Sequence, residues 1–98
     1  MREGRLQLKR NDIGWGYYIT NGVDTLNIHS GDGIEVLVGE FDKDGMGVHV
    51  VRWVQGRYEM QPTEPYEAYL ILGKYFVHGE DVVLTIPTGA LVRLPYRI

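Results

Sequence analysis

The chain has 98 residues, 44% of them hydrophobic and 23% charged, with 13 glycines, four prolines and no cysteine. That size and balance give one globular domain with a small core, and exclude a disordered chain, a coiled coil, a disulfide framework and thiolate metal sites. The net charge of −3 favours solubility and selects no partner.

The charge is uneven along the chain. Arg2, Arg5, Lys9 and Arg10 open it against Glu3 alone. Residues 11–50 then hold Asp12, Asp24, Asp32, Glu35, Glu40, Asp42 and Asp44 against Lys43 alone. An acidic middle makes duplex nucleic acid an unlikely partner, because such binding needs a basic face that releases counterions. No apolar run is long enough to cross a membrane and no secretory leader opens the chain, so a cytoplasmic protein is expected, in a bacterial host cell if the resemblance given below holds.

Glycines and prolines punctuate the chain at short intervals, and the runs between them are β-branched and aromatic. This pattern predicts a mainly β protein. Leu6-Gln7-Leu8 alternates and opens the first strand. Tyr17-Tyr18-Ile19-Thr20 forms a second, closed by the turn pair Asn21-Gly22. Leu26 and Ile28 point inward from a third, and Ser30-Gly31-Asp32-Gly33 forces a turn. Ile34, Val36 and Val38 share the inward face of the next strand.

In the run Val48–Val54, the face of Val51 and Trp53 is expected to be core, because burying Arg52 unpaired on the other face would be costly. Tyr58 and Met60 alternate with Glu59 and Gln61, and Pro62-Thr63-Glu64-Pro65 is a loop. Residues 66–72 fit a two-turn helix or a buried strand, and the β-rich surroundings favour strand. Val82–Ile86 is a strand ended by Pro87. Thr88-Gly89 turns the chain, and Ala90, Val92 and Leu94 share one face of the last strand, with Leu91, Arg93 and Arg97 on the other. Pro95 cannot donate to a ladder, so this strand is an edge or breaks there. The fold expected is a small antiparallel barrel, SH3-like or related, of five to seven strands with at most one short helix. A β-sandwich is the alternative.

Motifs with chemistry are weak. Glu40-Phe41-Asp42-Lys43-Asp44-Gly45 resembles the start of a calcium loop, but position twelve is Val51 and a strand follows, so an acidic hairpin turn is the better reading. His29, His49 and His78 lack zinc-site spacing. Ser30 beside His29 and Asp32 lacks the strand–turn–helix elbow of a nucleophile. The glycine pairs do not extend to a nucleotide-binding loop. These absences point to a non-enzymatic protein with no metal and no cofactor.

The aromatic and arginine residues are more suggestive. Trp15, Tyr17 and Tyr18 sit in a glycine-flanked segment, and tyrosine suits contact surfaces. Seven of the ten cations are arginine, which grips phosphate or carboxylate in two-pronged fashion. Arg52, Arg93 and Arg97 with Trp53, Tyr66, Tyr69 and Thr88 are the candidate ligand-binding set: rings to stack a base, guanidinium groups and a hydroxyl to hold a phosphate. A homo-oligomer is expected, since a monomer of this size has little concave surface.

The order Gly4-Arg5-Leu6, Gly16-Tyr17-Tyr18-Ile19, Leu26-x-Ile28-His29-Ser30-Gly31-Asp32-x-Ile34-Glu35-Val36, Trp53, Gly56-Arg57-x-Glu59-Met60, Tyr69-Leu70 and Gly89-Ala90-Leu91-Val92-Arg93-Leu94 resembles a small domain-of-unknown-function family of Firmicutes and their phages and mobile elements. Residues 40–50 and 62–67 read as insertions relative to it. The resemblance implies a compact β domain and carries no catalytic residues. It also implies an expectation of function: a phage or mobile-element protein that sequesters an anionic, nucleotide-type ligand of host immunity. The alternative is an inhibitor of a host nuclease or other defence protein, which would dock through the acidic surface of Glu40, Asp42 and Asp44.

Overall fold

A computed structural model describes residues 2–41, 45 and 47–95. Those residues contain no helix. They form one antiparallel sheet of eight strands: β1 (Glu3–Asn11), β2 (Gly14–Thr20), β3 (Thr25–Asn27), β4 (Gly33–Phe41), β5 (Val48–Met60), β6 (Ala68–Val77), β7 (Glu80–Ile86) and β8 (Leu91–Arg93). The spatial order is β3-β2-β1-β8-β4-β5-β6-β7. Of residues 66–72, Ala68–Leu72 are strand and none is helix, while Tyr66 and Glu67 belong to the loop before it. The eight strands exceed the expected five to seven, and β3 and β8 are only three residues each. The sheet is open: among the described residues no ladder joins β7 to β3.

Turn chemistry sets two of the hairpins. Asn21 Oδ1 accepts from the amides of Val23 (2.9 Å) and Asp24 (2.7 Å), fixing the β2–β3 turn, as a short polar side chain after a strand does. His78 and Gly79 both have positive φ (52° and 82°) between paired Val77 and Glu80, the conformation of a two-residue hairpin turn matched to sheet twist. The β8 strand stops at Arg93, two residues before Pro95, and it lies between β1 and β4. The proline thus breaks a central strand and marks no edge.

The core lies on one face of the sheet. Leu6, Tyr17, Ile19, Ile34, Val36, Tyr58, Leu70, Ile86 and Val92 are all buried there, with Ile28, Ala68 and Leu72 beside them. The inward positions expected on β4 and β8 are met, with Val38, Ala90 and Leu94 packed against the buried cluster. The expectation for the fifth strand is overturned. Val54 and Met60 pack on the core and Tyr58 is buried within it, whereas Val51 is 56% exposed. Arg52 shares the inward parity of Val54 yet stays exposed. The strand overruns the core at its start, so Arg52 never meets the desolvation cost that the sequence argument charged to it.

Glycine 56 lets β5 serve two neighbours. Residues 48–57 pair with β4, through an irregularity at Glu40–Phe41, and residues 57–60 with β6. A Cβ at Gly56 would sit 2.6 Å from the Ile71 carbonyl oxygen and 2.8 Å from Leu70 Cγ. Only a residue without a side chain allows β6 to close on β5 at that point. The curl this permits carries β6 and the loop before it over the inner face, where the Tyr17 hydroxyl on β2 donates to the Tyr66 carbonyl at 2.8 Å.

Candidate binding cleft

The candidate ligand set does not assemble into one pocket. Trp53 and Arg93 do meet, but on the outer face, away from the core. The Arg93 guanidinium lies 4.1 Å from the Trp53 ring centroid and bonds Glu35 Oε2 at 2.9 Å. Arg2 lies 3.9 Å from the other Glu35 oxygen. The reason is strand order. Arg93 on β8 pairs across with Glu3 of β1 on one side and Glu35 of β4 on the other, so a cation sits between two acids. Its Nε is buried without a hydrogen-bond partner. This guanidinium is held by ring and carboxylate.

The other members are scattered. Arg52 is exposed on β5, opposite Val38. Tyr69, on β6, directs its hydroxyl to Glu67 Oε2 (2.7 Å) and Gln61 Oε1 (2.9 Å), and donating to that carboxylate raises its phenol above the ordinary range. Arg97, Asp42 and Asp44 lie outside the described residues, as does the turn expected at Asp44-Gly45 apart from Gly45. Glu40 lies on β4, opposite Val50. Only Tyr66 and Thr88 share a neighbourhood, and the residue that joins them is Tyr17. Its phenol donates to the Tyr66 carbonyl, and the Thr88 side chain acts on it to hold its pKa down against the effect of burial.

Around Tyr17 the structure builds a cleft of about 230 Å³. The alternation Trp15-Gly16-Tyr17 on β2 puts Trp15 and Tyr17 on the same face. Tyr17 meets Tyr58 of β5 edge-on, with ring centroids 6.2 Å apart at 76°. Trp15, beyond the core edge and 42% exposed, stacks on Tyr66 at 5.8 Å and 29°. Tyr66 has positive φ (55°), and a pinned loop holds it there. Its amide donates to the Thr63 carbonyl (2.8 Å), and the Gln61 amide donates to the Glu67 carbonyl (2.9 Å).

Asn11, Asn27, His29 and Ser30 line the cleft, along with apolar Ile13, Ile28 and Met60. Asp32 Oδ2 accepts from the His29 amide at 2.9 Å, and Ser30 Oγ accepts from the Met60 amide at 3.3 Å. The segment is tied to β5 by Gly31 N to Tyr58 O and Tyr58 N to Asp32 O, both 2.8 Å. His29 Nδ1 is 4.0 Å from Asp32 Oδ2, too far for a hydrogen bond. Ser30, His29 and Asp32 therefore form a turn and not a relay. Burial pushes the phenols of Tyr17 and Tyr58 up, with the Thr88 hydrogen bond opposing the rise at Tyr17. Both are neutral at physiological pH and offer rings and hydroxyls, not charge. Lys9 also lines the cleft, and its ammonium sits 4.7 Å above the Tyr18 ring.

Among the described residues no three His, Asp or Glu side chains come together as a metal site, and no helix is long and apolar enough to cross a membrane. None of the described members of the candidate set lines the cleft, and the lining residues it left out include Trp15, Tyr17, Tyr58, Asn27, His29 and Ser30. The usable signal was the two-residue spacing of Trp15 and Tyr17. Compared with known proteins, the chain matches no family model, no curated protein and no solved structure.

Proposed function

We propose that this protein is a non-enzymatic binding module whose ligand lays a planar ring against Trp15. One observation carries the reading: a partly exposed tryptophan that stacks on Tyr66 lines a cleft together with the rings of Tyr17 and Tyr58 and the amide, imidazole and hydroxyl groups of Asn27, His29 and Ser30. A rigid exposed ring stacks on any base face, and the polar groups supply directional contacts to its edge.

Size narrows the ligand. Small-molecule pockets commonly span about 300–1,000 Å³, so a 230 Å³ cleft takes a single ring system and its first substituent. We therefore assign a nucleoside- or nucleotide-type ligand entered base first, with its phosphate left near the mouth. Sequestration of such a signal fits the resemblance to phage and mobile-element proteins. The scaffold under this proposal is a small barrel of the SH3-like kind left open between β3 and β7. Contacts from β2 across to Tyr66 and Tyr58 support that description.

Calorimetric titration with mononucleotides, ADP-ribose and cyclic dinucleotides tests the function, at about 50 µM protein to reach micromolar affinity. Binding should quench tryptophan fluorescence in the Trp53→Phe variant and leave it unchanged in Trp15→Phe. Absence of heat with every one of these compounds removes the proposal.

A further inference from the structure

The two edges of the sheet are guarded differently. β3 is only three residues long, and a short edge strand is a poor template for another chain. β7 is seven residues long. It contains no Lys, Arg or Pro, the bulge in its hairpin lies in β6 between Leu72 and Phe76, and Val83 (48%) and Leu84 (37%) are exposed along it. Among the described residues nothing pairs with its outer edge.

We propose that β7 is a homodimerisation strand, which pairs antiparallel with β7 of a second copy about a two-fold axis through Val83. The sequence of the strand argues for a second copy as the occupant. A two-fold axis perpendicular to a continuous antiparallel sheet passes through a residue that faces itself, and only Val83 uses all seven positions. In that register Val83 meets Val83 at the centre of the outer face. Asp81 meets Thr85 on each side of it, carboxylate against hydroxyl. On the inner face Val82 meets Leu84 twice, and Glu80 meets Ile86 at the ends. Every apolar centre residue finds an apolar partner, and no carboxylate faces another. A parallel pairing in the same register would set Glu80 against Glu80 and Asp81 against Asp81, so the acids select the antiparallel arrangement.

The surroundings agree. An apolar groove of about 240 Å³ lies beside the strand, between Leu84 and Pro87 on one side and Val36 and Val38 of β4 on the other. An added strand would extend the inner face alongside it and put Val82 and Leu84 of the second copy there. The same hairpin exposes Tyr75, Phe76 and Val77 beside Glu80 and Asp81. In the antiparallel dimer this tip comes to the Ile86–Pro87 end of the second copy. Strand pairing alone buries less than the usual total of about 1,200–2,000 Å² for a stable interface, and the exposed tip supplies further apolar area.

Position 85 gives a test that works in both directions. Thr85 is exposed and outside the core, so its substitutions leave folding intact, which circular dichroism verifies. Thr85→Asp sets acid against Asp81 twice per dimer and should weaken association about tenfold. Thr85→Lys creates two opposite-charge pairs and should tighten it by a similar factor, with the gain fading in high salt. Sedimentation equilibrium of the wild type and both variants reads the dissociation constants. A dimer that responds in this order supports the proposal. A wild type that stays monomeric to several hundred micromolar overturns it, as does a dimer indifferent to both changes.

Discussion

The chain has two places where a tryptophan meets a potential ligand-binding partner, and they have opposite characters. Around Trp53 the ring lies against Arg93, and Arg93 is held by Glu35 at 2.9 Å. Ring and carboxylate both hold the cation, although its Nε is left without a hydrogen-bond partner. Around Trp15 the ring stacks on Tyr66, stays 42% exposed, and lines a cleft with Asn27, His29 and Ser30. The first group has the chemistry of a phosphate site and no vacancy for a phosphate, since an incoming anion must displace a carboxylate already in place. The second has less charge and an open ring. Composition of a cluster therefore says less about binding than whether its members are already paired.

This contrast predicts that the two tryptophan clusters respond in opposite ways to mutation. The largest effect is expected at Arg93. Its side chain is 24% exposed and that of Glu35 15%, so Arg93→Ala leaves a poorly hydrated carboxylate without its main partner. Urea denaturation should show a loss of about 2 kcal/mol, with ligand affinity at the cleft unchanged. Trp15→Ala should do the reverse. It should weaken ligand binding at least tenfold, in keeping with about 1–3 kcal/mol per stacked base, and shift the urea midpoint little, because the ring lies beyond the core. If Arg93→Ala abolished binding while Trp15→Ala did not, the assignment of structural and functional clusters would have to be exchanged.

Tyr17→Phe falls between these. The ring and its contact with Tyr58 remain, and the hydrogen bond to the Tyr66 carbonyl is lost. About 1 kcal/mol of stability should go with it. Because that bond ties the Tyr66 loop to β2, affinity should fall as well, by a smaller factor than in Trp15→Ala. Calorimetry and denaturation on the same sample separate the two losses.

Much of the sheet was legible from alternation alone, and the failures have physical causes. Ile34, Val36 and Val92 show their face because these positions lie over the core, and Leu94, just past β8, packs against it. The strand from Val48 misleads because it extends past the core, so Arg52 can share the inward parity without being buried. Arg93 misleads for a different reason. Its pairing with Glu3 and Glu35 depends on β8 lying between β1 and β4, and no local pattern reveals that strand order. Trp15 was visible as an aromatic between glycines, but its role depends on Tyr66, 51 positions later in the chain. That contact depends in turn on the bend that Gly56 permits.

The buried phenols add a smaller, pH-dependent test of the same cleft. Burial raises the Tyr17 and Tyr58 phenols above their unfolded value, so the folded chain keeps protons that the unfolded chain gives up. The stability this contributes is fully present below the unfolded phenol value of about 10 and is lost as pH rises through the folded values. Thermal midpoints should thus be insensitive to these groups near neutrality and fall beyond pH 10, at most by about 1.4 kcal/mol per pH unit for each phenol. Tyr58→Phe should flatten the fall, because Tyr58 is the more deeply buried ring (1% exposed against 5%). Tyr69 is the control: its hydroxyl is raised by the Glu67 hydrogen bond on the outer face, so Tyr69→Phe should leave most of the alkaline slope in place. An equal flattening by both substitutions would mean that the floor of the cleft is open to water, and the aromatic enclosure would lose its basis.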